Sequence, residues 1–150
     1  MNHIANLLDV EHIALDLPAP DKHQALAAAA RLFARDGLDP VKVQAALAER
    51  EQLGSTGIGE GVAIPHGRLK GLASPRGAFV RLAEPVPFDA CDGRPVRLVF
   101  VLLVPEQATE EHLQILSELA ERFSDPAVRQ ALTTVSDPES ALGLLTGTDG

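Results

Sequence analysis

The feature that most constrains this fold is the run at residues 96–104 (Val-Arg-Leu-Val-Phe-Val-Leu-Leu-Val), apolar at all but one position. A strand that alternates can leave one face in water; an unbroken apolar strand must be covered on both. Coverage on both faces calls for helices on each side of the sheet, which selects the α/β class. The run is far too short to cross a bilayer, so no membrane insertion is expected. Residues 77–82 read as a second apolar strand. Residues 12–17 alternate as a third, until Pro18 and Pro20 break it. Val62-Ala63-Ile64 reads as a short buried strand ending in Pro65-His66-Gly67.

Helices follow from capping residues and apolar spacing. Asp21 can cap a helix over 22–36, with Leu26, Ala29, Leu32 and Phe33 inward and Gly37 as the stop. Asp39-Pro40 opens a second, with Val41, Val43, Ala46 and Leu47 inward, ending near Leu53-Gly54. Thr109 can cap a helix over 110–123 whose apolar face is Leu113, Leu116, Leu119, Ala120 and Phe123. Asp125-Pro126 and Asp137-Pro138 each open a further short helix. The turn-rich stretch 84–95 has room for a small strand near Phe88. No repeat or linker divides the 150 residues, so one domain over 1–150 is expected, with strand order not legible.

Hydrophobic residues make up 45% of the chain but aromatics only 3%, so the core must be aliphatic. A formal net charge of −8 and the lack of aromatic platforms argue against nucleic acid as a partner. The same charge suits docking on a basic partner, or simply solubility. Cys91 is the sole cysteine, which rules out an internal disulfide. With no signal-peptide pattern in the opening residues, a cytoplasmic location is expected.

The chemistry concentrates in residues 50–68. Gly54, Gly57, Gly59 and Gly61 give a loop that can fold tightly, Ser55 and Thr56 bring hydroxyls, and Pro65 and Gly67 fix the backbone around His66. Arg50 and Arg68 stand at the two ends. A neutral imidazole is nucleophilic near pH 7, and arginine forks and loop amides can stabilise the equatorial oxygens of a moving phosphoryl group. A nucleotide P-loop does not fit, because Glu60-Gly61 stands where Lys-Ser/Thr is needed. The glycine spacing is not the dinucleotide fingerprint either. On the residues alone, a flexible surface loop beside a chance histidine is equally compatible. His112 reads as an exposed first-turn histidine, and His3, His12 and His23 as surface or edge residues. No ligand spacing supports a metal site, no cofactor is expected, and Cys91 reads as neutral or structural.

The string Gly-Ser-Thr-Gly-Ile-Gly-x-Gly-Val-Ala-Ile-Pro-His-Gly-Arg resembles the phosphorylation-site signature of the type-2 IIA domains of the bacterial phosphoenolpyruvate-dependent phosphotransferase system (PTS), the fructose–mannitol–nitrogen class. The resemblance extends to the Pro87-Phe88-Asp89-Ala90 stretch with Asp92-Gly93 and Pro95-Val96, to the apolar strand, and to His112-Leu113, covering essentially the whole chain. It is greatest to the nitrogen-regulatory branch. It implies a three-layer α/β sandwich with a mixed, mostly five-stranded central sheet and helices on both faces. It also implies that His66 accepts phosphate on its ε2 nitrogen, that Arg50 stabilises the phosphoryl group, and that His112 flanks it. Ser55, Thr56 and Gly57 are expected to bind phosphate, while Glu60 takes no role and Arg68 is left open.

The implied donor is a histidine phosphocarrier protein of the HPr or NPr type, and the implied output is regulation linked to nitrogen, carbon and potassium status. Potassium-transport or sensor-kinase proteins are the implied targets. Two alternatives remain: a sugar-transport IIA subunit passing phosphate to a fructose- or mannitol-type IIB domain, and a binding module that no longer turns over phosphate.

Overall fold

The computed structural model describes residues 4–107 and 110–147. In chain order the elements are α1 (Ile4–Leu7), β1 (Ile13–Leu17), α2 (Lys22–Leu32), α3 (Pro40–Gln52), β2 (Gly57–Gly59), β3 (Val62–Ala63), β4 (His66–Leu69), β5 (Arg76–Val86), β6 (Val96–Pro105), α4 (Glu110–Ser124), α5 (Pro126–Thr134) and α6 (Pro138–Thr146). The sheet is mixed, in the order β1-β5-β6-β3-β2, with β4 also on β6. β6 is central, as its composition requires. It runs antiparallel to β5, with Phe79 opposite Phe100, and parallel to β3 and β4.

Among the described residues, six strands occupy five positions across this sheet. Val62 pairs with Leu98 and His66 with Leu102, so β3 and β4 keep one register along β6 and are separate only because Ile64 and Pro65 interrupt them. His66 therefore opens a strand instead of sitting in a loop beyond one. The glycine loop likewise holds a short strand, β2, paired antiparallel to β3. No strand forms near Phe88: its ring is fully buried, but residues 87–90 have no regular structure.

Side chains alternate across β6. Leu98, Phe100, Leu102 and Val104 join Ile115, Leu119, Phe123, Leu132 and Leu145 in one core. Val99, Val101 and Leu103 join Leu26, Phe33, Val43 and Leu47 in the other. So α2 and α3 cover one face and the C-terminal helices the other, giving the three layers. The caps at Asp21, Asp39, Asp125 and Asp137 form as expected, each carboxylate accepting a backbone N–H of the first turn. The first long helix ends at Leu32 and tightens into a 3-10 turn over Phe33–Asp36 before Gly37, whose φ of 77° closes it.

Three expectations are corrected. Val41 is 73% exposed, at the start of α3 before the helix meets the sheet. In α4 the inward face carries Ile115, Leu119 and Phe123, while Leu113 is 66% exposed and Ala120 also faces solvent. His12 is buried: its Nδ1 lies 2.8 Å from Asp9 and its Nε2 2.9 Å from Asp36, with Phe33 against the ring. His23 is exposed as expected. The expected cap Thr109, and His3, lie outside the described residues.

Candidate functional site

At β4 the sheet ends, since among the described residues this strand pairs only with β6. Helices from opposite layers can meet around such an edge. α3 brings Arg50, β4 brings His66, and α4 brings His112. The close approach of α3 depends on Gly67, because a Cβ there would come within 3.1 Å of Ala46. One helical turn beyond Ala46 lies Arg50.

The His66 ring is held at both nitrogens. Its Nδ1 is 3.0 Å from the Ile64 carbonyl oxygen, which can only accept, so Nδ1 carries the proton. Nε2 is then an acceptor, and Arg50 donates its Nε–H to it at 3.2 Å. A second Arg50 donor, Nη1, reaches the Gly54 carbonyl at 2.8 Å. His112 meets His66 edge-on, with ring centroids 5.3 Å apart and planes at 62°. Its Nε2 is buried and has no hydrogen-bond partner among the described residues.

These groups line a cleft of about 370 Å³, together with Glu49, Leu53 and Arg68. Arg68 also donates to the Glu106 carbonyl at 2.9 Å. Burial lowers the pKa of His66 below its ordinary 6.5; the Ile64 hydrogen bond and Glu51 oppose this, while the Arg50 and Arg68 cations add to it. Burial also lowers His112, and the neighbouring His66, Arg68 and Arg50 charges push it the same way. Both rings are thus biased to the neutral form, and His66 presents a bare Nε2 lone pair to a cationic cleft.

The loop residues expected to bind phosphate are placed otherwise. The Ser55 hydroxyl donates to the Phe88 carbonyl and accepts the Gly57 N–H at 3.0 Å. Thr56 is buried, and its N–H (3.1 Å) and hydroxyl both go to the Glu51 carboxylate. Among the described residues, none of Ser55, Thr56 and Gly57 lines the cleft, and their donors bind the loop to the protein. Glu60 lies at the β2–β3 turn, paired with Arg94 at 3.0 Å. Cys91 is exposed. Sequence reasoning missed Glu51, whose one signal was an acidic side chain directly after Arg50 at the helix end. Among the described residues no cluster suits a metal ion, and no helix is long and apolar enough to cross a membrane.

This arrangement can be set beside known proteins. The family described as "Phosphoenolpyruvate-dependent sugar phosphotransferase system, EIIA 2" matches residues 6–147. The chain is 42% identical over 142 residues to a nitrogen regulatory protein of Pseudomonas aeruginosa, covering 93% of this chain and 92% of that one. The crystal structure of nitrogen regulatory protein IIA-Ntr from Neisseria meningitidis superposes with a TM-score of 0.91 at 48% identity, covering 96% of this chain and 99% of that one. The IIA mannitol enzyme of Escherichia coli, solved in complex with phosphorylated IIB, has a TM-score of 0.77 at 28% identity, covering 93% and 97%. With the family matched from the first helix to the last, and the fold shared with solved IIA structures, this chain belongs to the EIIA type-2 family of the phosphoenolpyruvate-dependent phosphotransferase system.

Proposed function

We propose that His66 accepts a phosphoryl group on Nε2 from the phosphohistidine of a carrier protein of the HPr or NPr type, and that the phosphorylation state of this surface is a regulatory signal of the nitrogen-regulatory kind. The observation that carries the reading is the division of labour on one ring: Nδ1–H is committed to the Ile64 carbonyl, and the Nε2 lone pair faces the cleft beside Arg50.

In the transfer step the Nε2 lone pair forms a bond to phosphorus as the bond from phosphorus to the donor's ring nitrogen breaks. The donor ring, protonated on its other nitrogen, takes back the bonding pair and leaves as neutral imidazole. The His66 ring gains positive charge, which the Ile64 carbonyl stabilises through Nδ1–H. Arg50 turns its N–H donors from Nε2 to the equatorial oxygens, where a planar fork matches their spacing. His112 Nε2, buried and without a partner among the described residues, is the group on the opposite wall that can bond an oxygen of the arriving phosphate. Exposed Leu53, at the cleft wall, and Leu113, next to His112, provide apolar contact for the carrier. The product adds about two negative charges to this face, which changes the partners that can dock there.

Incubation of the chain with a phosphorylated carrier and labelled phosphate tests this. Label should appear on His66, as Nε2-phosphohistidine by phosphorus–nitrogen coupling in NMR, and be lost in His66→Ala. Label on a folded His66→Ala variant overturns the assignment.

A second reading has His66 hand the phosphate on to a IIB domain. Its support is the likeness to the mannitol IIA enzyme solved with phosphorylated IIB, at lower identity than the nitrogen regulatory relatives. Purified fructose- and mannitol-type IIB domains added to the phosphorylated chain separate the two: retention of label favours the regulator, rapid discharge the transporter.

A further inference from the structure

Glu51 takes no part in the transfer step, yet its side chain is only 6% exposed. A carboxylate so enclosed needs charged and hydrogen-bonding partners. It has both. Lys22 Nζ, from the first turn of α2, lies 2.6 Å from Oε2. Thr56 gives its N–H to the two oxygens at 3.1 and 3.3 Å and its hydroxyl to Oε1. Lys22 is itself fixed, 3.4 Å from the Phe88 carbonyl and over the Phe88 ring at 5.3 Å.

Two routes lead from this clamp to the imidazole. Thr56, held by its N–H, accepts the Ile64 N–H on its carbonyl at 3.0 Å. The Ile64 carbonyl then accepts His66 Nδ1–H at 3.0 Å. The other route runs through the loop that the Glu51–Thr56 contact closes. Gly54 lies inside that loop, and its carbonyl takes Arg50 Nη1 at 2.8 Å while Arg50 Nε bonds His66 Nε2. Both hydrogen bonds that define the ring's orientation therefore end on residues that Glu51 ties down.

We infer that the Lys22–Glu51 pair is a positioning device that fixes the tautomer of His66, and through it the ring nitrogen that takes phosphate. The clause about phosphate rests on the reading of His66 as acceptor; the clause about the tautomer does not. With the clamp gone, Thr56 loses its hold on the end of α3 and the loop keeps only the Ser55–Phe88 contact and the backbone bonds of Leu53 and Gly54; the Ile64 and Gly54 carbonyls are then less firmly placed, and the ring is free to exchange its proton between nitrogens.

The test uses the full chain labelled with nitrogen-15, as wild type, Glu51→Ala, Glu51→Gln, Lys22→Met and Lys22→Arg. Circular dichroism first establishes that each variant is folded at the assay temperature. Imidazole nitrogen shifts, read where His66 is neutral, should show protonated Nδ1 and bare Nε2 in wild type and in Lys22→Arg. Glu51→Ala and Lys22→Met should show a mixture of tautomers, with Glu51→Gln between. Transfer from a phosphorylated carrier should fall roughly tenfold to a hundredfold in Glu51→Ala and Lys22→Met. Part of the residual product should be Nδ1-phosphohistidine, and Lys22→Arg should recover the rate.

A merely structural role would lower the melting temperature and leave the tautomer alone. Folded Glu51→Ala and Lys22→Met proteins with the wild-type tautomer and rate overturn the inference. Should Glu51→Ala not fold, Glu51→Gln and Lys22→Met decide the matter. If wild type takes no phosphate at His66, the proposed function fails, and the nitrogen shifts still judge the clamp.

Discussion

Gly67 and Ala46 pack so closely that a methyl group on Gly67 would sit 3.1 Å from both the Cβ and the backbone carbon of Ala46. This contact sets the distance between α3 and β4, and hence between Arg50 and His66. In Gly67→Ala the helix must move out by a few tenths of an ångström. Overpacking of this kind typically costs about 1–3 kcal/mol. The expected result is a lower urea midpoint together with slower phosphoryl transfer, because the Arg50 fork moves with its helix. A variant that loses stability at an unchanged transfer rate would show that the spacing is not what positions Arg50.

Arg50 bonds His66 and Gly54 with different nitrogens of one planar group, a pattern that lysine cannot reproduce. Arg50→Lys keeps the charge and removes the fork. Loss of a preorganised donor at a developing anion costs on the order of 10²-fold in rate. A fall of that size is expected in single-turnover labelling, at an unchanged melting temperature. Wild-type kinetics in Arg50→Lys would reduce the guanidinium's role to a point charge.

The site has its own pH signature. His66 and His112 both titrate below 6.5, and their rings are close enough to titrate as a coupled pair. The acceptor nitrogen needs its lone pair, so the transfer rate should fall with a midpoint below pH 6.5, the point at which a free imidazole is half protonated. Stability carries the matching sign. Below 6.5 the unfolded chain binds protons that the folded rings still refuse, so stability falls as pH drops from 6.5 toward their folded pKa values, and levels off beneath them. Urea titrations of wild type and of His66→Gln/His112→Gln above and below 6.5 check this. The double variant should lose less stability over that window; equal losses would mean the two rings are not depressed.

Local signals account for what could be read from the chain alone. An Asp before a helix caps it wherever the helix goes, and an unbroken apolar run must be central, so the layers and the N-termini of four helices were visible in advance. Properties set by neighbours were not. The α4 stripe shifted to Ile115, Leu119 and Phe123 because the helix docks through the side that also carries His112. His12 looked like an edge residue, since its partners Asp9 and Asp36 are brought together only by the fold. Arg81 sits at 5% exposure inside β5, gripping Asp16 and the carbonyls of Leu132 and Val135, contacts that no local pattern announces. Within the site, Arg50, His66 and His112 come together as the family resemblance implied. Ser55 and Thr56 do not join them, because a hydroxyl's partner in a glycine loop depends on where the connector over 87–95 and the end of α3 lie.

His112 separates function from stability most directly. A buried polar nitrogen without a partner costs the folded state about 1–3 kcal/mol, and among the described residues His112 Nε2 has none. Leucine fills similar space and buries no polar atom. His112→Leu should therefore keep or raise stability; a gain of about 1 kcal/mol would lift the melting temperature of a chain this size by roughly 2–4 °C. If the orphan nitrogen is held ready for a phosphoryl oxygen, the same substitution should slow transfer at least about tenfold, a trade of activity for stability common at strained sites. Calorimetry and single-turnover labelling of one protein sample read both effects. A less stable protein that transfers at the wild-type rate would mean that His112 is there for packing and that its nitrogen has no part in the chemistry.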